Sequence, residues 1–394
     1  MLPINTSSTR GVVHRSPLGL PMNTSSTRGV VHRHAKQGRA PVEGTSIGRL
    51  LVVTQVVDRD DPFLGFFHAW LTELAAHYEH LHVICLREGA HMLPSNVSVH
   101  SLGKEAGESR RKYVTRFLGY VWSLRREYDT VFVHMNQEYV LLAGWLWKLL
   151  GKPIYMWRNH YAGGLLTDMA AKFCEKVFCT SKFSYTAKYK NTILMPVGID
   201  TRLFAPQQRI ERMPRSVLFF GRFAPAKRPH VLLEALGMIA REGVEFRASF
   251  YGASLSTDAE YREEVMRRSS ELALDDKVKF FEGVPHAQAP SIFSQYEIYV
   301  NLSSSGTYDK AIFEAAACGC LVLAASEDFE TVAGKRFRLT DAEDAPTVAE
   351  KLRETLVLPA GERTALAAQL REKVLVGQSL KILGERLAAE MSSK

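Results

Sequence analysis

The sequence predicts an α/β protein built from two doubly wound, Rossmann-like domains that face each other across a cleft. Three observations carry that reading. At 394 residues the chain is long enough for two ordinary domains. Short apolar runs alternate with segments of helical periodicity, as mostly parallel sheets require. The alternation occurs as two series, with a polar stretch from Pro206 to Pro214 between them.

In the first series, Leu50 to Val56 reads as a buried strand, and Phe66 to Tyr78 as a helix. Strands follow at Leu81–Leu86 and Val97–Leu102, then a helix over Arg110–Arg126 and a strand over Asp129–His134. A helix over 139–150 precedes strands at Pro153–Trp157 and Lys176–Cys179. The second series places strands at Val217–Phe220, Phe246–Tyr251, Val278–Phe281, Ile298–Leu302 and Leu321–Ala325. Helices fall between them at about 228–241, 258–273, 287–294 and 310–318. Leu366, Leu370, Val374, Leu380, Leu383 and Leu387 form an apolar stripe on a helical C-terminus. The expected divisions are a basic extension over 1–47, domains over 48–205 and 206–375, and a terminal helix over 376–394 that packs back on the first domain.

Composition narrows the class. The 46% hydrophobic and 23% charged fractions describe a soluble globular chain. The longest apolar run, Tyr139 to Leu150, is too short to span a bilayer and contains Lys148. Net charge is +8, but six Arg or Lys and one acid lie in residues 1–47, which accounts for five of those charges. The high pI is therefore poor evidence for nucleic-acid binding. In that extension Asn5 to Arg15 recurs unchanged as Asn23 to Arg33, and its Ser, Thr, Arg and Gly content predicts disorder. It lacks the apolar stretch of a signal peptide. Five cysteines form no zinc-like pairs and sit in apolar runs, as reduced core thiols of a cytoplasmic protein would.

Open α/β sheets bind ligands at the carboxyl ends of their strands, so residues just after strands are the candidates. Gly221, Arg222 and Lys227 lie between a strand and a helix. A glycine for close approach, a guanidinium fork and a point charge are the parts that hold a diphosphate. Two surface cations beside a turn would give the same pattern. Further on, the Ser303–Tyr308 loop leads into a helix with Asp309 as its N-cap and Gly319 just past its end. Glu314 sits inside that apolar helix, where a carboxylate could accept from ribose hydroxyls. A solvent-facing Glu is the plainer alternative. The Lys104–Tyr128 segment mixes five Arg and two Lys with aromatic residues, and reads as a helix with a solvated basic face or one that docks on anionic lipid.

Four motifs, in order, resemble the retaining GT-B glycosyltransferases of family four, the glycogen-synthase-like group. They are Pro196 to Phe204, the Gly221-Arg222 pair with Lys227, Phe313 to Gly319, and the Leu321–Ala325 strand. The resemblance covers about residues 48–390. It implies that Arg222 and Lys227 neutralise a leaving diphosphate, that Gly221 and Gly65 let backbone approach it, and that Glu314 binds the donor ribose. By the same resemblance His134 touches the donor sugar and His160, beside Asn159, lines the acceptor side. The departure is Gly306, where the family usually has a sugar-binding Glu. The Gly306-Thr307-Tyr308-Asp309-Lys310 form suggests that Asp309 or the turn backbone binds sugar hydroxyls, with Lys310 near the phosphates, or else that Asp309 is only a cap.

The implied reaction moves a sugar, a hexose by analogy, from a nucleoside-diphosphate sugar to an acceptor hydroxyl with retained configuration. It implies no cofactor and no metal, since the sole Asp-x-Asp, Asp58 to Asp60, lies in the wrong domain. The partners implied are the nucleotide sugar and a glycan, lipid-linked or small-molecule acceptor, with no nucleic acid and with peripheral membrane contact at the inner face. A nucleotide-sugar epimerase of the same fold and a non-catalytic nucleotide-sugar sensor are the alternatives, the latter prompted by Gly306.

Overall fold

The computed structural model describes residues 47–61, 64–306 and 309–392. The repeat-bearing extension, Thr307 and Tyr308 lie outside them, and so do the expectations attached to those residues.

Two all-parallel sheets organise the chain. The first holds β1 (Arg49–Val57), β2 (His80–Glu88), β3 (Val97–Ser101), β4 (Thr130–His134), β5 (Ile154–Trp157), β6 (Lys176–Cys179) and β7 (Thr192–Leu194). Its spatial order is β3-β2-β1-β4-β5-β6-β7. The second holds β8 (Met213–Phe220), β9 (Arg247–Tyr251), β10 (Val278–Phe281), β11 (Tyr296–Asn301) and β12 (Leu321–Ala324), in the order β10-β9-β8-β11-β12. In each sheet the first strand is an inner one and the order reverses beside it, which opens a crevice at the strands' carboxyl ends. Strands such as Leu50 to Val53 are apolar throughout because helices cover both of their faces.

Helices α1 (Phe66–Ala75), α2 (Arg110–Ser123), α3 (Gln137–Leu149) and α4 (Leu165–Phe173) connect the first sheet. Helices α5 (Pro229–Arg241), α6 (Ala259–Glu271), α7 (Ala289–Gln295) and α8 (Lys310–Ala317) connect the second. Next come α9 (Glu327–Ala333), α10 (Ala345–Val357), α11 (Ala360–Gln378) and α12 (Leu380–Ser392). The apolar stripe of α12, with Leu380, Leu383, Leu387 and Met391, joins the first sheet's core beside α1.

The chain thus crosses between the halves twice, and the crossings lie side by side. Ile199 N donates to Gln378 O at 2.9 Å, and Leu380 N donates to Ile199 O at 2.7 Å. The predicted polar joint is shorter than expected, since β8 begins at Met213 and takes in Pro214. Proline is tolerated at a strand's start, where its missing N–H is least costly. Arg215 then adopts φ 53°, and the pairing of β8 with β11 shifts register opposite it. The helix read to Tyr78 stops at Ala75, and the one read to Arg126 stops at Ser123. β7, α4, α9 and α10 were not read from the sequence.

Candidate functional site

The second sheet's contribution begins where β8 ends. Gly221 N donates to Tyr251 O at 3.0 Å, so the loop turns close over the end of β9. The glycine that permits this is Gly252, not Gly221. A Cβ on Gly252 would lie 1.9 Å from Gly221 O, whereas one on Gly221 would meet only Phe219, at 4.0 Å. Arg222 projects from this loop into solvent and makes no hydrogen bond or ion pair among the described residues. Its guanidinium is free to accept an anion.

Lys227 closes a short 3-10 turn, Pro225–Lys227, and reaches the loop after β11. Its Nζ donates to Asp309 Oδ2 at 2.6 Å and to Ser303 Oγ at 3.1 Å. Asn301 Nδ2 donates to the same Asp309 oxygen at 2.9 Å. Asp309 Oδ1 accepts from Ala311 N at 3.2 Å and so caps α8. Burial alone would push this carboxyl up, but Lys227 and the bonds from Asn301 and Ala311 outweigh it and hold it below the usual carboxylate range. Both Asp309 oxygens are therefore engaged. It is the cap foreseen in the sequence, and it also orients Lys227 for any anion arriving beside α8. Next to Lys227, Arg228 (φ 52°) donates to Leu302 O at 2.8 Å and to Ser304 Oγ at 3.1 Å, bracing the same loop.

Glu314 lies one turn into α8 and is 7% exposed. Its Oε1 is 3.1 Å from His286 Nε2, contributed by the turn before α7. The hydrogen bond to Glu314 raises the His286 pKa above its ordinary value, against an opposing effect of burial. A buried carboxylate with one half-exposed hydrogen-bond partner can exchange that partner for a ligand hydroxyl. Gly306 has φ 86°, and a Cβ there would sit 3.2 Å from Phe183 Cβ and 3.5 Å from Tyr161 Cβ. Any side chain would be strained and crowded against the first half, which is why a Glu does not fit this loop.

The first sheet supplies a different wall. Gly65 N donates to Asp61 O at 3.0 Å, closing a tight turn ahead of α1. A Cβ at Gly65 would lie 2.6 Å from that carbonyl, so its small size serves the turn's own packing. His134 ends β4 but does not open into the cleft as expected. It is 2% exposed, stacks on Phe67 at 3.9 Å, and holds Thr54 Oγ1 at 3.1 Å through Nδ1. Burial lowers its pKa to about 3, so the ring is neutral. α1 lays Phe67 over the end of β4, and that long-range packing covers the ring.

Lys310 also departs from expectation. Its Nζ lies 3.4 Å from the Phe66 ring centroid and 5.0 Å from that of Trp70, on the opposite wall. Its neighbour Asp309 turns to Lys227 instead. His160 is exposed on the loop after β5, where its Nδ1 accepts from Ala162 N at 2.9 Å and its ring stacks on Tyr161 at 4.6 Å. Its neighbour Asn159 accepts from Ser184 Oγ at 2.8 Å. Two further contacts join the walls: Ser181 Oγ donates to Asp328 Oδ2 at 2.7 Å, and Lys182 lies 3.5 Å from Glu327.

The structure thus brings Lys227, Asp309, Glu314 and Lys310 together around the start of α8, with Arg222 on the neighbouring loop. The sequence reading missed His286, Asn301, Ser303 and Gly252. Asn301 and Gly252 each stand at a strand's carboxyl end, a signal that was available. His286 had none, since its role exists only once α7 packs beside α8.

Residues 200–373 match the family model described as "Glycosyl transferases group 1". The chain is 26% identical over 149 residues to the D-inositol 3-phosphate glycosyltransferase of Segniliparus rotundus, covering 36% of this chain and 33% of that one. The enzyme of the same name from Geodermatophilus obscurus is 26% identical over 154 residues, 36% of this chain and 34% of that one. The matched region spans about a third of the length of these curated relatives. Among solved structures, Anabaena HepE in complex with UDP superposes with a TM-score of 0.70 at 17% identity, over 88% of this chain and 100% of that one. Sucrose-phosphate synthase of Thermosynechococcus elongatus gives 0.66 at 18%, over 86% and 98%. At such identities the likeness establishes the fold, which is GT-B.

Proposed function

Taking residues 200–373 as a group 1 glycosyl transferase domain, we propose that this chain transfers a sugar, a hexose by analogy, from a nucleoside-diphosphate sugar to an acceptor hydroxyl. The single observation that carries the reading is the constellation at the start of α8. An unpaired Arg222 and an Asp309-oriented Lys227 stand beside a helix N-terminus, with a buried Glu314 one turn further on. Departure of the diphosphate is the hard step of glycosyl transfer. In this proposal Arg222, Lys227 and the amides of α8 take up its growing charge. Glu314 accepts from the ribose, exchanging its bond to His286 for one to a ribose hydroxyl. Asp309 acts on Lys227 and does not touch the sugar.

In this proposal the anomeric configuration is retained, as in the family the motifs resemble, and no metal is needed because the two cations supply the charge a metal would otherwise bring. The acceptor enters past His160 and Tyr161. Residues 110–126 hold six Arg or Lys and no acid, which supports contact with an anionic membrane face. Among the described residues no helix is long and apolar enough to cross a membrane. Product NMR after incubation with a donor panel and excess EDTA tests the reading. A retained-anomer product supports it, and an EDTA-sensitive or epimerised product contradicts it.

One observation favours a second reading, a nucleotide-sugar sensor. Gly306 supplies no carboxylate, and Asp309 is already engaged. Donor binding with neither transfer nor hydrolysis would select it.

A further inference from the structure

The first turns of α8 present three charged side chains to the cleft, and each has a different partner. Asp309 takes Lys227, and Glu314 takes His286. Lys310 has no carboxylate within ion-pair distance among the described residues. Its ammonium sits against aromatic faces contributed by the other half of the molecule, at 3.4 Å from Phe66 and 5.0 Å from Trp70. A lysine ordinarily keeps its ammonium in water, and one taken out of water needs a replacement for its hydration. An aromatic face supplies that replacement through its quadrupole.

The receiving rings are themselves fixed. Phe66 meets Trp70 edge-on at 6.0 Å, and Trp70 meets Trp157 edge-on at 4.8 Å. His134 lies 5.7 Å from Trp70 and stacks on Phe67, so the wall behind the cation is rigid and neutral. Burial pushes the Lys310 pKa down to about 7, with Glu314 opposing that shift.

We propose that Lys310 is a positioning residue that holds the cleft closed, by docking its ammonium from α8 onto the Phe66–Trp70 face of α1. The contact joins the helix that carries the donor constellation to the wall that the acceptor must approach. It ties the start of α8 to α1, whereas the Ser181–Asp328 and Lys182–Glu327 contacts tie the loop after β6 to the start of α9. Losing it leaves those contacts in place, so the fold survives while the closed form is less populated. The kinetic part of this proposal rests on the glycosyltransferase reading; the conformational part does not.

The test uses the full chain, three single variants, Lys310→Met, Lys310→Arg and Phe66→Leu, and one double variant. Methionine keeps the apolar stem, arginine keeps a cation for the rings, and Phe66→Leu removes the same contact from the opposite wall. Small-angle scattering without ligand reads closure directly. The expected result is a larger radius of gyration for Lys310→Met and Phe66→Leu, with Lys310→Arg close to wild type. With UDP-sugar donors, kcat is expected to fall about tenfold in the first two variants. UDP affinity is expected to stay within about twofold, because the nucleotide is held from the other wall. The double variant Lys310→Met/Phe66→Leu is expected to be no worse than either single change. An unchanged radius of gyration in both single variants overturns the proposal. So does a large loss of UDP affinity with kcat preserved, which would make Lys310 a phosphate ligand. A wild-type chain that binds no nucleotide overturns the glycosyltransferase reading, and scattering still decides the closure.

Discussion

On one wall of the cleft stand Arg222, Lys227, Asp309, His286 and Glu314; on the other stand Phe66, Phe67, Trp70, Trp157 and a neutral His134. The first wall holds its charges in short pairs, 2.6 Å for Lys227–Asp309 and 3.1 Å for His286–Glu314. The second is made of uncharged rings, with Phe67 stacked on His134 and Trp70 edge-on to Trp157. The contrast follows from what each sheet presents at its strand ends. Loops after β8 and β11 are polar and lead into helix N-termini, which favour anions. The loop after β1 is charged too, but Asp58 and Asp61 pair with Arg87, and it leads into α1, whose first residues are aromatic. The difference separates the two tasks proposed above: charge is taken up on one side, and closure and acceptor contact occur on the other. Lys310 is the cation that crosses from α8 onto the rings of α1.

The largest effect should come from emptying the charged wall. Arg222→Ala with Lys227→Ala is expected to lower turnover by roughly a hundred- to a thousandfold, read by initial rates with a cognate donor. Unchanged rates would remove the charged wall from the mechanism. Asp309→Asn should come next. It keeps the helix cap but strands the Lys227 ammonium, at a cost of about 3 kcal/mol in denaturant stability. Donor KM should rise with it, because Lys227 loses its orientation, and an unaffected KM would leave Asp309 a cap alone.

The neutral wall should respond through pH. Burial lowers His134 to about 3, and outside this wall, in β2, burial together with the neighbouring His80 and His100 lowers His82 to about 4, against 6.5 for a free histidine. Both rings bind fewer protons folded than unfolded below pH 6.5, so stability should fall as pH drops from there toward those values. His134→Gln should flatten that slope in urea titrations across this range; an unaltered slope would contradict a buried neutral ring. The smallest effect is the reverse one on the charged wall. His286 is raised by its bond to Glu314, so that pair stabilises fully below pH 6.5 and is lost as pH rises through the raised value. His286→Asn should therefore lower the melting temperature in acid and leave it unchanged in alkali.

The two walls also differed in how much the sequence disclosed. Arg222, Lys227, Asp309 and Glu314 stand near strand ends and helix starts, where local pattern locates them. The opposite wall depends on packing between elements distant in sequence. His134 ends a strand as expected, yet Phe67 covers it because α1 lies over β4. Lys310 sits beside Asp309 but reaches Phe66, a contact that no local pattern encodes. Among the secondary elements, buried parallel strands announced themselves as apolar runs. α4 did not, because Leu165, Leu166 and Met169 are exposed while Ala170 and Ala171 are buried, which blurs the helical period. β7, with three residues, is too short to carry one.

The central claim is that the wall around α8 holds a nucleoside diphosphate through Arg222 and Lys227. Calorimetric titration of UDP, GDP and ADP into the full chain and into Lys227→Ala tests it most directly. The account predicts that one diphosphate binds the wild type and that its affinity falls at least about tenfold in the variant. Equal affinity in the two proteins would contradict it.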